Sequence, residues 1–314
     1  MPDDAPAGSD LSLERIELAA RVIDPVFRNS PQYLDETLGA ALGRRVVVKV
    51  ETANPLRSFK GRGTDFLLGQ LSSPGPVVCV STGNFGQGIA YAARSRGIPA
   101  TVFTPTGVSP SKLDRMRSFG ASVVAVADPR SAAEEYVAAD PARLLVTDGH
   151  DARIAEGAGT IAVELLAAHR PDAIVVPVGD GALITGIARW VKDVAPGTRI
   201  IGVCATAAPA MFHSWRAGHP VPTPSGTIAE GIAISHPIAE SVTRMRTLVD
   251  DILLVDDAAM LAAMRLAATT LGLLLEPSGA AALAALTAHP VAADLVAVIL
   301  TGSNLRAEHL DHLR

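Results

Sequence analysis

The sequence predicts an α/β protein built on mostly parallel sheets, and three observations carry the prediction. Short β-branched runs bounded by turn residues alternate with helical stretches along most of the chain. Two of these runs lead straight into glycine-rich turns that open helices. With 314 residues, 48% of them hydrophobic, the chain can bury a sizeable core and is long enough for two domains.

In chain order, strands are expected at 46–50, 77–80, 101–103, 122–126, 144–147, 174–177, 199–203, 252–255 and 295–300, too many for one small unit. Between them, a helix over 87–96 should stop at Gly97. Another over 110–118 has Ser109 as N-cap, Pro110 at its first position and Gly120 past its end. The proline-rich stretch 205–233, with His213, Trp215 and His219, shows no clear period and reads as a long loop or lid whose histidines are solvated surface. Alanine-rich helical sequence fills 258–275, and no internal repeat is present.

A net charge of −5, a pI near 5.9, no basic block and 4% aromatic residues argue against nucleic acid or an anionic membrane as partner. Every apolar run is broken by Gly, Pro or Asp well short of the roughly twenty residues that a membrane span needs. A small-molecule partner is the natural expectation. Cys79 and Cys204 both lie in apolar stretches, so no disulfide framework is expected and a reducing, cytoplasmic setting is the better fit. The first ten residues are acidic and polar, unlike a secretory signal.

Lys60 stands apart from an ordinary surface lysine. It follows Ser58, a good N-cap, and Phe59, and it precedes Gly61 and Gly63, which weaken a helix and clear side chains from its surface. Something is expected to come close to the backbone here. The turn Ser81-Thr82-Gly83-Asn84-Phe85-Gly86-Gln87-Gly88 follows a strand and opens a helix, which makes an anion site with a side-chain amide at Asn84. The turn Gly179-Asp180-Gly181-Ala182-Leu183 can cradle a phosphate. It fails the dinucleotide pattern, which would place a glycine where Ile184 stands, and no Walker A motif occurs. Singly, each turn is as well read as a helix cap. Together with Lys60 and the late Thr301-Gly302-Ser303-Asn304, they describe a site for an aldehyde-bearing phosphate cofactor, pyridoxal 5'-phosphate.

From about residue 13 to residue 304 the chain resembles the fold-type II pyridoxal-phosphate enzymes, the threonine dehydratase, serine racemase and cysteine synthase superfamily. Ser58-Phe59-Lys60-Gly61-Arg62-Gly63 matches the family's S-F-K-x-R-G, and Ser81 to Gly88 its S-x-G-N-x-x-Q-G. Glu276-Pro277-Ser278-Gly279-Ala280 and Thr301-Gly302-Ser303-Asn304 follow in the family's order. The resemblance implies a tryptophan synthase β-like fold of two domains, each a twisted, mostly parallel sheet flanked by helices. Residues 1–67 and 150–314 would form a large cofactor-binding domain and residues 68–149 a small mobile one.

The resemblance also implies roles. Lys60, beside Phe59, would form the Schiff base and act as catalytic base. Asn84 would contact the cofactor's phenolic oxygen, and Ser81, Thr82, Gly83, Asn84 and Phe85 would receive the substrate carboxylate. Gly179, Asp180, Gly181, Ala182 and Leu183 would hold the phosphate, Thr301 would face the pyridine nitrogen, and Glu276 would lie nearby in support. Departures from the family pattern modify this. Asp180 and Ala182 stand where dehydratases carry glycines, so Asp180 is expected to point outward, away from a phosphate. Thr82 replaces the second serine of the racemases, and Phe85 replaces a common histidine. Cys204 and Ala210 occupy positions where metal-binding members carry carboxylates, so no metal is expected.

The leading expectation is a threonine/serine dehydratase-like ammonia-lyase acting on a small amino acid, with a homodimer implied by the family. A neutral partner at Thr301 favours elimination over transamination. A β- or γ-replacement synthase and a non-catalytic cofactor- or metabolite-binding protein remain as alternatives. The chain closes ten residues after Asn304, from which an enzyme without an appended regulatory domain is expected.

Overall fold

The structure, a computed structural model, describes residues 10–72 and 75–312; residues 1–9, on which the signal-peptide expectation falls, lie outside them. Ten strands are present among the described residues: β1 Gln32–Leu34, β2 Arg45–Val50, β3 Val77–Val80, β4 Ala100–Pro105, β5 Ser122–Val126, β6 Leu144–Val146, β7 Ala173–Pro177, β8 Arg199–Ala205, β9 Asp251–Val255 and β10 Leu295–Leu300. They form two sheets. One has the order β1-β2-β10-β7-β8-β9, the other β5-β4-β3-β6. All pairings are parallel except β1 with β2. The three-residue edge strand β1 is the one that the sequence reading missed, being too short to show a period.

The continuous apolar runs of the central strands follow from burial on both faces. In β10, Ala297 and Ile299 pack into one core while Val296, Val298 and Leu300 pack into another, and β7 splits the same way. The second core is closed by the helices Asp257–Thr270 and Pro277–Ala288, whose alanines allow close approach to the sheet. The outer strand β5 is half exposed and shows no such run of buried residues.

The first core is organised by the helix Ala152–Ala168, which packs between the helices Lys60–Gly69 and Ala182–Val194. Glycines make this approach possible. A Cβ on Gly157 would stand 2.5 Å from the carbonyl oxygen of Arg62, and one on Gly159 2.8 Å from that of Gly186. Gly63 likewise faces the Ile154 carbonyl, and Gly61 faces the ring of Phe27. The close neighbour expected at these two glycines is therefore the protein's own backbone and side chains.

Three local expectations are corrected. The helix after β3 runs over Asn84–Arg94, starting earlier than 87, because the Ser81 hydroxyl oxygen accepts hydrogen bonds from the Gly83 (3.1 Å) and Gly86 (2.9 Å) amides and draws the turn into the helix. The helix Pro110–Ser118 has no side-chain cap; the Ser109 hydroxyl pairs with Ser111 instead. The stretch 205–233 is not all loop. It holds a helix, Ala210–Ala217, with Met211 and Ser214 turned inward, ended by Gly218 in the left-handed region (φ +78°), and a short 3-10 turn at Glu230–Ile232. His213 and His219 are exposed, as expected.

Candidate active site

A cavity of about 290 Å³ opens at the carboxyl ends of β3, β7 and β10, lined from both sheets. Such a crevice is where open α/β sheets bind ligands, because the strand ends expose turns and helix N-termini there. Phe59, Lys60, Ser81 to Phe85, Gly179 to Leu183, Glu276 and Thr301 all line it. Residues far apart in sequence are thus brought onto one surface.

Lys60 is the first residue of its helix. The turn before it is fixed to the end of β10: the Phe59 amide donates to the Thr301 carbonyl (3.1 Å), the Ser303 amide to the Arg57 carbonyl (2.9 Å), and Ser58 bridges Gly302. Asn54 braces the turn through the Glu51 and Ser58 carbonyls, and Arg57 takes a positive φ of 52° within it. Ser58 does not cap the helix. The helix starts at Lys60 with Phe59 at the cap position, one residue past Ser58, whose buried hydroxyl has no hydrogen-bond partner. The Lys60 amine lies 4.8 Å from the Phe59 ring centroid and 5.8 Å from that of Phe85, and it pairs with the Asp148 carboxylate. The other oxygen of Asp148 is buried without a partner.

A chain of side chains crosses the floor. The Asn304 amide donates to the Asn84 oxygen (2.7 Å), and the Asn84 amide donates to Glu276 (2.6 Å). Ser278 also donates to Glu276 (3.3 Å), and the Thr301 hydroxyl donates to the Ser278 carbonyl (3.4 Å). One N–H of Asn84 is left for a ligand. Burial raises the pKa of Glu276, against the opposing pull of Lys112 and the bonds from Asn84 and Ser278.

On the opposite wall Gly181 takes a left-handed φ of 95°, and the helix Ala182–Val194 begins with no side-chain cap, so its first-turn amides are unclaimed by any side chain. Gly179 packs so closely on the Gly231 carbonyl that a Cβ would stand 2.5 Å from it. Asp180 corrects the expectation that it points outward. It lies in the cavity wall within the field of Asp148 and Lys60; desolvation and then repulsion from Asp148 push its pKa up to about 7, against the attraction of Lys60 and Arg130. The side chain is half-buried and lines the cavity.

The sequence reading missed Asp148, Lys112, Glu230, Ser278 and His309, all in the lining. Asp148 had a signal, being a carboxylate just beyond the end of a parallel strand, β6. Lys112 and Glu230 had none, since they meet only through the tertiary fold. Cys204 and Ala210 are buried, in β8 and at the start of the helix Ala210–Ala217. No group of three or more His, Cys, Asp or Glu side chains suited to a metal occurs among the described residues.

Residues 23–302 match the family described as pyridoxal-phosphate dependent enzyme. The chain belongs to that family. It is 34% identical to the biosynthetic L-threonine dehydratase IlvA of Mycobacterium leprae, over 96% of this chain and 74% of the relative. It is 36% identical to the L-threonine ammonia-lyase of Geobacter sulfurreducens, over 84% and 68%. Among solved structures, it is similar to a threonine deaminase from T.th. (TM-score 0.88, 32% identity, 94% of this chain and 99% of that one). It is also similar to maize serine racemase (TM-score 0.90, 26% identity, 96% of each). These likenesses fix the fold as that of the fold-type II enzymes and the cofactor as pyridoxal phosphate. The cavity suits such a group: an amine stands on one wall, unclaimed helix amides on another, and a hydroxyl and a partly free amide on the floor.

Proposed function

We propose that the protein releases ammonia from a small β-hydroxy amino acid of the threonine class, with loss of water across Cα–Cβ and, after hydrolysis, formation of a 2-oxo acid. It is a pyridoxal-phosphate-dependent lyase, with threonine dehydratases and ammonia-lyases as relatives over most of its length. The observation that carries the reading is the place of Lys60, whose amine is set in the cavity between two aromatic rings with Asp148 as its ionic partner.

In this reading Lys60, beside Phe59, holds the cofactor's carbonyl carbon. The turn Gly179, Asp180 and Gly181 and the first helical residues Ala182 and Leu183 bind its phosphate through their amides. Thr301 faces the ring nitrogen, the free N–H of Asn84 reaches the phenolic oxygen, and Glu276 orients Asn84. When bound, the cofactor supplies an electron sink for the bond that breaks at Cα. Once released, the Lys60 amine takes the Cα proton, and Asp148 is placed to hold the resulting charge. The turn Ser81, Thr82, Gly83, Asn84 and Phe85 receives the substrate carboxylate, Ser81 keeping its hydroxyl proton while its oxygen caps the helix.

Phe85 is buried and apolar on the side facing the cavity, which favours threonine over serine. The test is 2-oxo acid release from L-threonine and L-serine, with and without an added thiol. Threonine should show the higher kcat/KM and the thiol should not divert product; a replacement product with no 2-oxo acid would overturn the reading.

We further propose a cytoplasmic homodimer with residues 1–67 and 150–314 as one domain and 68–149 as a second, mobile one. The four-stranded sheet is drawn wholly from residues 77–146, and both cysteines are buried and free. The dimer rests on family likeness. No helix among the described residues is long and apolar enough to cross a membrane.

A further inference from the structure

The cavity lining contains four carboxyl groups, Asp148, Asp180, Glu230 and Glu276, against two Lys or Arg side chains, Lys60 and Lys112. An amino-acid substrate adds a fifth carboxylate. Lys60 is engaged by Asp148 and, in the function proposed above, by the cofactor, so it is not available to an incoming carboxylate. Lys112 remains. It comes from the helix Pro110–Ser118 on the side of the four-stranded sheet, is 8% exposed, and pairs across the cleft with Glu230. Its amine also faces the carboxylate turn: a Cβ built on Gly83 would lie 3.8 Å from it.

Glu230 has a second cationic partner in Arg306. If Lys112 let go, Glu230 would stay paired, so the exchange strands no buried charge. Lys112 itself is buried, so as a cation it is best held against an anion; burial lowers its pKa, against the attraction of Glu276. We infer that Lys112 binds the substrate's α-carboxylate, exchanging Glu230 for it as the amino acid enters. Glu230, anchored by Arg306, is then a placeholder that keeps Lys112 paired between substrates. This rests on the Ser81–Phe85 turn being the carboxylate site.

The test uses the holoenzyme and two probes, L-alanine and ethylamine, which share an amine but differ by the carboxylate; binding is followed through the cofactor's absorbance. Lys112→Met should cut the preference for L-alanine over ethylamine by about tenfold or more, the loss expected for one charged hydrogen bond. KM for L-threonine should rise in proportion with kcat changed by less than about threefold. Lys112→Arg should recover part of the preference. Glu230→Gln should tighten L-alanine binding, since the carboxylate paired directly with Lys112 is then gone. An unchanged preference in Lys112→Met, or weaker L-alanine binding in Glu230→Gln, would overturn the inference, and the second variant decides alone if the first does not fold. Should the parent release no 2-oxo acid from any amino acid, the lyase reading fails while the probe preference still reports on Lys112.

Discussion

Two cations on one helix, Lys60 and Arg62, meet opposite fates. Arg62 is fully buried, and each nitrogen of its guanidinium is bonded: to Glu51 (2.7 and 3.0 Å), to Glu164 (2.7 and 2.9 Å), to Thr160 (2.9 Å) and to Ser30 (3.1 Å). Lys49 closes the same network through Glu164 and the Ser30 carbonyl. Lys60 has one carboxylate partner, and that partner keeps a buried oxygen free. The helix turns Arg62 toward the packed side, against Thr160 and Glu164 of the helix Ala152–Ala168, and Lys60 toward the cavity. A cation with every donor used holds a fold together, whereas one with an exchangeable partner and space beside it is available for chemistry.

The largest effect expected from this contrast is on Lys60. Lys60→Ala should lower 2-oxo acid release by about a thousandfold or more, the scale of losing both anchor and proton carrier. Its unfolding free energy should change by only about 1 kcal/mol, because Lys60 has one ionic partner and lines an open cavity rather than the packed core. Borohydride reduction followed by peptide mapping should find cofactor on Lys60 in the parent; label on another lysine would break the assignment.

Arg62→Met should do the reverse. It strands the buried carboxylates Glu51 and Glu164 and should cost about 3–5 kcal/mol in a denaturant titration. If cofactor affinity fell by more than stability explains, Arg62 would belong to the site and the contrast would fail.

Asp180 sharpens the comparison through pH. Because its pKa is raised in the folded protein, the folded chain holds this proton between about pH 4 and pH 7 where the unfolded chain has lost it. Its contribution to stability therefore falls as pH rises across that window, and the full penalty remains above it. Asp180→Asn should be more stable than the parent at pH 8, and should bind cofactor more tightly there, since no carboxylate then faces the phosphate. Thermal melts and cofactor titrations at pH 5 and pH 8 would check both, and an unchanged pH 8 cofactor affinity would count against an inward Asp180.

Ser58 gives the smallest effect. Its buried hydroxyl has no partner, so Ser58→Ala should change stability by less than about 0.5 kcal/mol, against about 1 kcal/mol for the loss of a true N-cap.

The sequence by itself determined the strands that carry the site, the two glycine turns at their ends and Lys60 as the odd lysine. These signals are local: β-branched runs, φ-permissive glycines and cap residues act over a few positions. The α/β class followed from their alternation. What the tertiary structure alone decided is who faces whom. Asp148 reaches Lys60 across 88 residues, Glu276 reaches Asn84 across 192, and Glu230 reaches Lys112 across 118. It also turned Asp180 inward and left Ser58 without a partner, against the local reading of each. A side chain's charge state and partner depend on burial and on neighbours supplied by other strands, and only folding sets either.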